Sequence, residues 1–200
     1  MPAYVIYING WPGVGKLTVA RHLQKLIPGS QVLHNHELID PVEKRYPRGS
    51  AKYQIKRAEY RQMRLRPIME DAKLKDTVFI FTDSQTEHNE CVGDYTDLGL
   101  GERGRRFYSV VLHCGMEENM RRLTMSGRGG SLNGKLTDGE VLKEYRSRGS
   151  ILRFGDDDEV EIDVTDIEPE EASRRVYGFV ERREREGRTE VDWDGPDYSI

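Results

Sequence analysis

The first 26 residues combine an apolar strand pattern, a glycine-rich loop and a helix pattern. The run Tyr4-Val-Ile-Tyr-Ile-Asn9 leads into Gly10-Trp-Pro-Gly-Val-Gly-Lys-Leu-Thr18, and apolar residues then recur at helical spacing up to Leu26. Glycines let the backbone turn several N–H groups inward, and the positive end of the following helix points at the same place. This order of strand, loop and helix predicts a loop that binds a polyphosphate, with an ordinary glycine-rich turn as the alternative.

Lys16 is the candidate catalytic residue of this loop. Its charge can reach the β- and γ-phosphates of a nucleotide and stabilise the group that moves in a phosphoryl transfer. The usual pattern places Ser or Thr directly after this lysine as a Mg²⁺ ligand, whereas this chain has Leu17 there and Thr18 one position later.

The spacing Gly10-x-Pro12-Gly13-x-Gly15-Lys16-x-Thr18 resembles the loop of adenylate kinases and related small-molecule kinases, in which the hydroxyl also follows one place later. The resemblance implies that Thr18 contacts phosphate and Mg²⁺. It also implies an ATP-binding set made of the whole loop and one arginine of a later helix: Gly10, Trp11, Pro12, Gly13, Val14, Gly15, Lys16, Leu17, Thr18 and Arg122.

A second chemical signal is the acid that follows the apolar run Thr77-Val-Phe-Ile-Phe-Thr82. This run predicts a buried strand, and Asp83 stands directly after it. A fixed carboxylate beside the phosphate loop can hold Mg²⁺ through water or accept the acceptor's proton, so we predict a metal-binding and catalytic role. Capping of the next helix is the alternative. Adenylate kinases carry Asp-Gly-Phe-Pro-Arg here, whereas this chain has Thr82-Asp-Ser-Gln-Thr86, so an AMP acceptor is not implied.

The candidate acceptor site lies after the second predicted strand, Gln31-Val-Leu33. In small kinases with this kind of loop the end of that strand commonly faces the substrate, so Asn35, His36 and Asp40 are candidates to bind or orient the acceptor. A simple polar turn is the alternative interpretation.

Positive charge is concentrated between Pro41 and Arg66, where nine Lys and Arg face two Glu. The local net charge is +7, against -11 for the rest of the chain, which favours an anionic partner. Arginines of a helix predicted from Ser50 to about Asp71 could clamp an acidic substrate, and Arg57 is our candidate. A solvated helix face is the alternative, and Pro67 is expected to kink or divide this helix.

A lid is predicted at about residues 127–139, because four glycines loosen the chain around Arg128. The pattern Thr137-x-x-Glu140 predicts a capping box that begins a helix running to about Phe154. Closure would bring an arginine to the transferring group and expel water, and Arg128 is the candidate catalytic arginine. Other arginines stand before and after the loop: Arg122, Arg146 and Arg148. An ordinary surface loop is the alternative.

Five strand patterns alternate with helix patterns, which predicts a parallel sheet covered on both faces. The last two strands are expected at Phe107–Leu112 and Val160–Val164, and the last helix at Pro169. The length of 200 residues suits one domain at 1–188, followed by a loose tail at 189–200. Two cysteines without metal-ligand spacing, and no apolar run long enough for a membrane span, favour a cytoplasmic protein.

The whole chain resembles the P-loop kinase-like group, which includes nucleoside monophosphate, shikimate and gluconate kinases and chloramphenicol phosphotransferase-like proteins. The resemblance implies a three-layer α/β fold with a five-stranded sheet in the order 2-3-1-4-5 and a mobile lid. It also implies Mg²⁺ and ATP, with transfer of the γ-phosphate to a small acceptor.

Three other functions are alternatives to this one. A GTPase is disfavoured, because no Asn-Lys-x-Asp run follows a strand. A nucleic-acid end kinase or RNA-binding protein would use the basic stretch together with Tyr46, Tyr53 and Tyr60. A nucleotide-binding regulator without catalysis would explain why Leu17 stands where the usual pattern has a Mg²⁺-binding Ser or Thr.

Overall fold

The computed structural model describes residues 3–87, 93–100, 105–125 and 136–191. Within them, five strands form one parallel sheet in the order β2-β3-β1-β4-β5, which confirms the predicted order. The strands are β1 Tyr4–Gly10, β2 Gln31–His34, β3 Phe79–Thr82, β4 Arg106–His113 and β5 Glu159–Asp163. Because all the strands run parallel, their carboxyl ends meet at one edge of the sheet.

Helices alternate with these strands along the chain. They are α1 Lys16–Leu26, α2 Asn35–Glu43, α3 Tyr53–Glu70, α4 Gly93–Leu100, α5 Met116–Thr124, α6 Gly139–Arg148 and α7 Pro169–Val191, with a short 3-10 turn at Ala72–Leu74. None of the helices among the described residues has the length and apolar content needed to cross a membrane.

The central strand β1 separates two apolar cores, since successive side chains of a strand point to opposite faces. All seven of its residues are buried. Ile6 and Ile8 belong to the core that includes α1 and α7, whereas Val5 and Tyr7 belong to the core that includes α2, α3 and α4. The three predicted layers, helices on both faces of a sheet, are confirmed.

Two predicted helices differ from the observed ones. Helix α3 runs through Pro67 to Glu70 without dividing. The carbonyl that loses its N–H partner is that of Met63, which lies on an exposed part of the helix where water can bond it.

Helix α6 begins one residue later than the capping box requires and ends earlier than predicted. The carboxylate of Asp138, not the side chain of Thr137, accepts from the N–H groups of Glu140 and Val141. After Arg148 the chain is extended, because Ile151 forms an antiparallel bridge with Thr86. At the other end of the chain, α7 continues to Val191, and residues 192–200 of the predicted tail lie outside the described residues.

Candidate functional site

The glycine-rich loop connects β1 to α1 and is held closely by two neighbouring elements. Gly10 has φ 151°, and a Cβ there would overlap the carbonyl oxygen of Leu112 on β4. Gly13 has φ 100°, and a Cβ there would lie 2.5 Å from Nδ2 of Asn119 on α5. By contrast, the space around Gly15, which precedes α1 with φ 101°, is open. The loop therefore packs against the protein on one side and presents the helix N-terminus to open space on the other.

Lys16 joins this loop to the end of β3. Its ammonium group donates to the carbonyl oxygens of Gly10 at 2.7 Å and Trp11 at 2.9 Å, and to the hydroxyl of Ser84 at 2.8 Å. The positive charge thus stands between the loop and the residue after Asp83. Ser84 was missed by the sequence reasoning, although it directly follows the predicted strand-end acid.

Asp83 is buried and fixes the turn that follows β3. One carboxylate oxygen accepts from the N–H of Ser84 at 2.7 Å, and the other accepts from Nε2 of Gln85 at 2.5 Å. The amide of Asn9 donates to the carbonyl of Gln85 at 3.0 Å and accepts from its N–H at 2.8 Å. Burial, and secondarily the charge of Asp83, raise the pKa of Tyr95 well above its usual value. The alternative role of Asp83 as a helix cap is wrong, because the residues after it pair with the chain after α6.

Positions 17 and 18, in the first turn of α1, differ in their exposure. Thr18 is exposed and Leu17 is half-buried. Trp11 packs in the core beneath the loop, so it can serve a ligand only through its backbone. Of these residues, Thr18 is the one that borders a cavity next to the loop.

This cavity has a volume of about 610 Å³ and lies between the loop, α5 and the segment that joins β5 to α7. Its lining includes Gly13, Gly15, Thr18, Arg122, Thr165 and Pro169. The joining segment 164–169 was not predicted as part of the site. The only signal in the sequence was its place between the fifth strand and the last helix.

Arg122 holds the two walls of the cavity together. Its guanidinium donates to the carbonyls of Val14 at 3.3 Å, Val164 at 2.7 Å and Thr165 at 3.2 Å. Its Nε donates to Glu118 at 2.5 Å. Hydrogen bonds from Arg121 and Arg122 lower the pKa of Glu118 to about 2, so this carboxylate is charged at neutral pH. The structure thus places Arg122 beside the phosphate loop, and its role in binding ATP stays a prediction.

Asn119 and Arg146 form a further support of the loop, which the sequence did not reveal. Asn119 is fully buried, and its Nδ2 donates to the carbonyl of Pro12 at 2.9 Å. Its Oδ1 accepts from Arg146 of α6 at 3.0 Å, and the same guanidinium donates to the carbonyl of Cys114 at 3.3 Å. Arg148, the other arginine of α6, pairs with Glu144 on the surface. The loop is therefore coupled to α6 through one buried amide.

The candidate acceptor residues begin at the end of β2. His34 is in register with Thr82 of β3, so the first turn of α2 lies beside the strand end that carries Asp83. His36 and Asp40 face each other on α2, with 3.1 Å between Nδ1 and Oδ1. Asn35 opens the helix and is half-buried.

Arg57 lies near the buried turn that contains Asp83. It is half-buried on α3, and its charge acts on the hydroxyl of Tyr95, as do the charges of Asp83 and Arg61. The structure therefore brings Arg57 towards the strand-end acid, 26 residues along the chain from it.

Most of the basic stretch is neutralised within the fold. Five of its nine cations pair with carboxylates, three of which lie outside the stretch: Arg48 with Glu43, Lys56 with Glu59, Arg61 with Asp94, Arg64 with Glu37 and Arg66 with Glu70. Among the described residues, no carboxylate pairs with the remaining four, Lys44, Arg45, Lys52 and Arg57. The excess charge available to a nucleic acid is thus smaller than the sequence indicates.

Arg128 and most of the range 127–139 lie outside the described residues. Their role stays a prediction from the sequence.

Comparison with known proteins agrees with the observed fold and sheet order. A family model described as an AAA domain matches residues 6–145. The chain belongs to this AAA domain family. No curated protein matches the chain significantly.

Solved structures similar to this AAA domain protein include kinases and a resistance protein. A gluconokinase from Sinorhizobium meliloti has a TM-score of 0.65 at 14% identity, covering 94% of this chain and 97% of that one. The tunicamycin resistance protein of Deinococcus radiodurans has a TM-score of 0.60 at 19% identity, covering 89% and 95%. The APS kinase of Mycobacterium tuberculosis, solved with AMPPNP and APS, has a TM-score of 0.59 at 15% identity, covering 90% and 98%. At these identities the likeness shows the fold, which is that of the P-loop kinase-like group.

Proposed function

We propose that this protein is a Mg²⁺-dependent phosphotransferase that moves the γ-phosphate of ATP to a small acceptor. The observation that carries the proposal is the position of Lys16. Its ammonium lies within 2.9 Å of two loop carbonyls and of the Ser84 hydroxyl at the end of β3. A positive charge held at the phosphate loop, next to the residue that follows Asp83, can stabilise the negative charge of the transferring phosphoryl group.

The fit of a nucleotide to this site is supported by the open side of the loop. The backbone N–H groups around Gly15 and the N-terminus of α1 can hold phosphates, and Thr18 can add a hydroxyl. The cavity of about 610 Å³ beside Thr18 has room for the nucleoside. Arg122 would keep its walls in place.

The protein groups near the phosphates suit a hydrated magnesium ion. Such an ion would keep several water ligands beside the phosphate oxygens, because Mg²⁺ dehydrates reluctantly. Among the described residues there is no group of three His, Cys, Asp or Glu side chains that could hold a metal. Thr18 and Ser84 offer hydroxyls, and Asp83 can act through water. When bound, the ion would neutralise charge on the transferring phosphate.

The acceptor is assigned to the other side of Asp83, between the first turn of α2 and α3. Asn35, His36 and Asp40 supply polar groups there, and Arg57 supplies a charge without an ion-pair partner among the described residues. This charge supports a small anionic acceptor. The similar structures described as gluconokinase and APS kinase are consistent with that class.

The experiment is a metabolite screen with γ-labelled ATP and Mg²⁺. Wild-type protein should label at least one small, anionic, hydroxyl-bearing acceptor, and Lys16→Ala should not. Lys25→Ala, in the exposed last turn of the same helix, is the matched control and should retain transfer. Equal labelling by wild type and Lys16→Ala would contradict the assignment of the site.

A nucleotide-binding regulator is the second candidate, and two observations favour it. Leu17 occupies the position of the usual magnesium ligand, and both oxygens of Asp83 already accept hydrogen bonds within the protein. Calorimetry separates the two candidates, since tight binding of Mg²⁺-ATP without turnover on any acceptor would favour the regulator.

A further inference from the structure

The side chains of His36 and Asp40 form a pair on one face of α2, one helical turn apart. Nδ1 of the imidazole lies 3.1 Å from Oδ1 of the carboxylate. We infer that His36 is the general base that takes the proton from the acceptor hydroxyl and that Asp40 orients its ring. This inference rests on the proposed function and names a catalytic residue for it.

Asp83 is poorly placed to be this base. It is 1% exposed, and each of its oxygens accepts a short hydrogen bond, from the N–H of Ser84 and from Nε2 of Gln85. Gln85 is itself fully buried, so its amide cannot turn away without leaving polar atoms unpaired. Protonation of Asp83 would disrupt the turn that carries Ser84 to Lys16. The carboxylate therefore has a structural task that conflicts with accepting a proton.

The tautomer of His36 follows from its partner. An ionised carboxylate only accepts hydrogen bonds, so the hydrogen of the neutral imidazole must lie on Nδ1. The lone pair is then on Nε2, which forms no hydrogen bond with any described residue. About a quarter of the side chain is exposed, and Nε2 is not one of the buried unpaired polar atoms of the described residues, so a ligand can reach it. A base oriented by a third group is the usual arrangement for activating a hydroxyl.

The position of His36 in the fold suits this task. It is the second residue of α2, and the strand before it is paired with the strand that ends at Asp83. The strand beyond that one, β1, carries the phosphate loop. A hydroxyl held near His36 would thus lie at the same sheet edge as the phosphate bound at Lys16.

His34, which also lies near the end of β2, has different partners. His34 lies before the helix, where its N–H donates to Glu37 at 3.2 Å and its ring nitrogen Nε2 lies 3.4 Å from the same carboxylate. Glu37 in turn lies 3.7 Å from Arg64 of α3. The contacts of His36 itself are with Asp40 and with the ring of His34, whose centroid lies 6.2 Å from that of His36.

Proton transfer to His36 accompanies the transfer of the γ-phosphate. The acceptor O–H proton passes to Nε2 of His36 as the acceptor oxygen forms a bond to the γ-phosphorus. The bond from that phosphorus to the β–γ bridging oxygen breaks, and ADP leaves with the electron pair. His36 ends as an imidazolium next to the carboxylate of Asp40 and returns its proton to solvent.

Nuclear magnetic resonance tests the geometry without any acceptor. Two-bond ¹H–¹⁵N spectra of the full ¹⁵N-labelled chain at mildly alkaline pH should show His36 as the Nδ1–H tautomer. The His36→Gln variant identifies its signal among those of the five histidines. In Asp40→Ala the signal should change to the Nε2–H form, while that of His22 should not move. An Nε2–H tautomer of His36 in the wild-type protein would overturn the inference.

Kinetics with the acceptor found in the screen test the chemistry. His36→Gln should lower kcat by at least about 100-fold, with the KM for ATP changed by no more than about twofold. Added imidazole should partly restore His36→Ala. The control His22→Ala, whose ring lies 3.6 Å from Glu170 on α7, should behave as wild type.

The outcomes separate this inference from the proposed function. Transfer by wild type that His36→Gln retains at similar kcat would overturn the role of His36 and leave the kinase assignment standing. A wild-type protein that labels no acceptor would contradict the kinase assignment, and the general base would fall with it, whatever its tautomer.

Discussion

The close contact between Gly13 and Asn119 makes the phosphate loop sensitive to a single methyl group. Gly13 and Gly15 have nearly the same φ, 100° and 101°. A Cβ on Gly13 would lie 2.5 Å from Nδ2 of Asn119, whereas one on Gly15 would meet no atom within 4 Å. Alanine at either position therefore incurs the strain of a positive φ, but only Gly13→Ala displaces a neighbour.

The magnitudes follow from these contacts. A non-glycine residue in this backbone region costs about 1–3 kcal/mol. Displacing the amide of Asn119 also breaks its bonds to Pro12 and to the charged Arg146, a loss of about 2–4.5 kcal/mol in total. We therefore expect Gly13→Ala to lower the free energy of unfolding by about 2–4.5 kcal/mol more than Gly15→Ala does.

Urea denaturation without nucleotide measures this difference. Gly29→Ala, with φ 81° and open space around it, is a control outside the site. A double-mutant cycle tests the cause. In an Asn119→Ala background the methyl group on Gly13 should add only the backbone strain and the looser contacts with the carbonyl oxygen of residue 119 at 3.2 Å and with Leu123 at 3.3 Å. Equal free energies of unfolding for Gly13→Ala and Gly15→Ala would refute the reasoning.

Three further predictions concern the loop and the cavity. Lys16→Ala should keep the circular dichroism spectrum of wild type and lose at least about 100-fold in kcat, and a folded variant with near-normal turnover would remove Lys16 from the mechanism. Thr18→Ala should weaken the use of Mg²⁺-ATP in steady-state kinetics, whereas Leu17→Ser should bring little gain, and a large gain would move the working hydroxyl to position 17. Hydrogen bonds from arginine lower the pKa of Glu118 from 4.5 to about 2, so the contribution of this carboxylate to stability is complete above pH 4.5 and is lost as the pH falls towards 2. The free energy of unfolding of Glu118→Gln, measured in urea, should therefore depend less on pH in that window than that of the control Glu117→Gln. Identical pH dependence of the two variants would contradict the ion-pair geometry.

The sequence determined the features that depend on short stretches of backbone. Four such features were predicted: the strand before Gly10, the loop, the helix from Lys16 and the start of α7 at Pro169. They were predictable because the periodicity of apolar residues and the preferences of residues at helix ends act locally. The strand order came from the resemblance carried by the loop, and the observed sheet confirms it.

Predictions from local patterns were wrong where residues distant in the sequence set the end of a helix or the net charge of a surface. The end of α6 at Arg148 is set by pairing of the following residues with the chain after β3, which no helix pattern contains. The basic stretch looked like a surface for an anionic partner, but Glu37, Glu70 and Asp94 neutralise part of it from outside. Charge counted along a chain does not include partners brought by the fold.

The site itself was decided by the tertiary structure. Lys16 meets Ser84 across 68 positions, and Asn119 meets Pro12 across 107, so neither contact is visible in a sequence window. The cavity exists because the parallel order of the sheet places the end of β5 and helix α5 beside the loop of β1. Residue types at strand ends come from the sequence, whereas the distances between them come from strand order and register, which depend on packing along the whole chain.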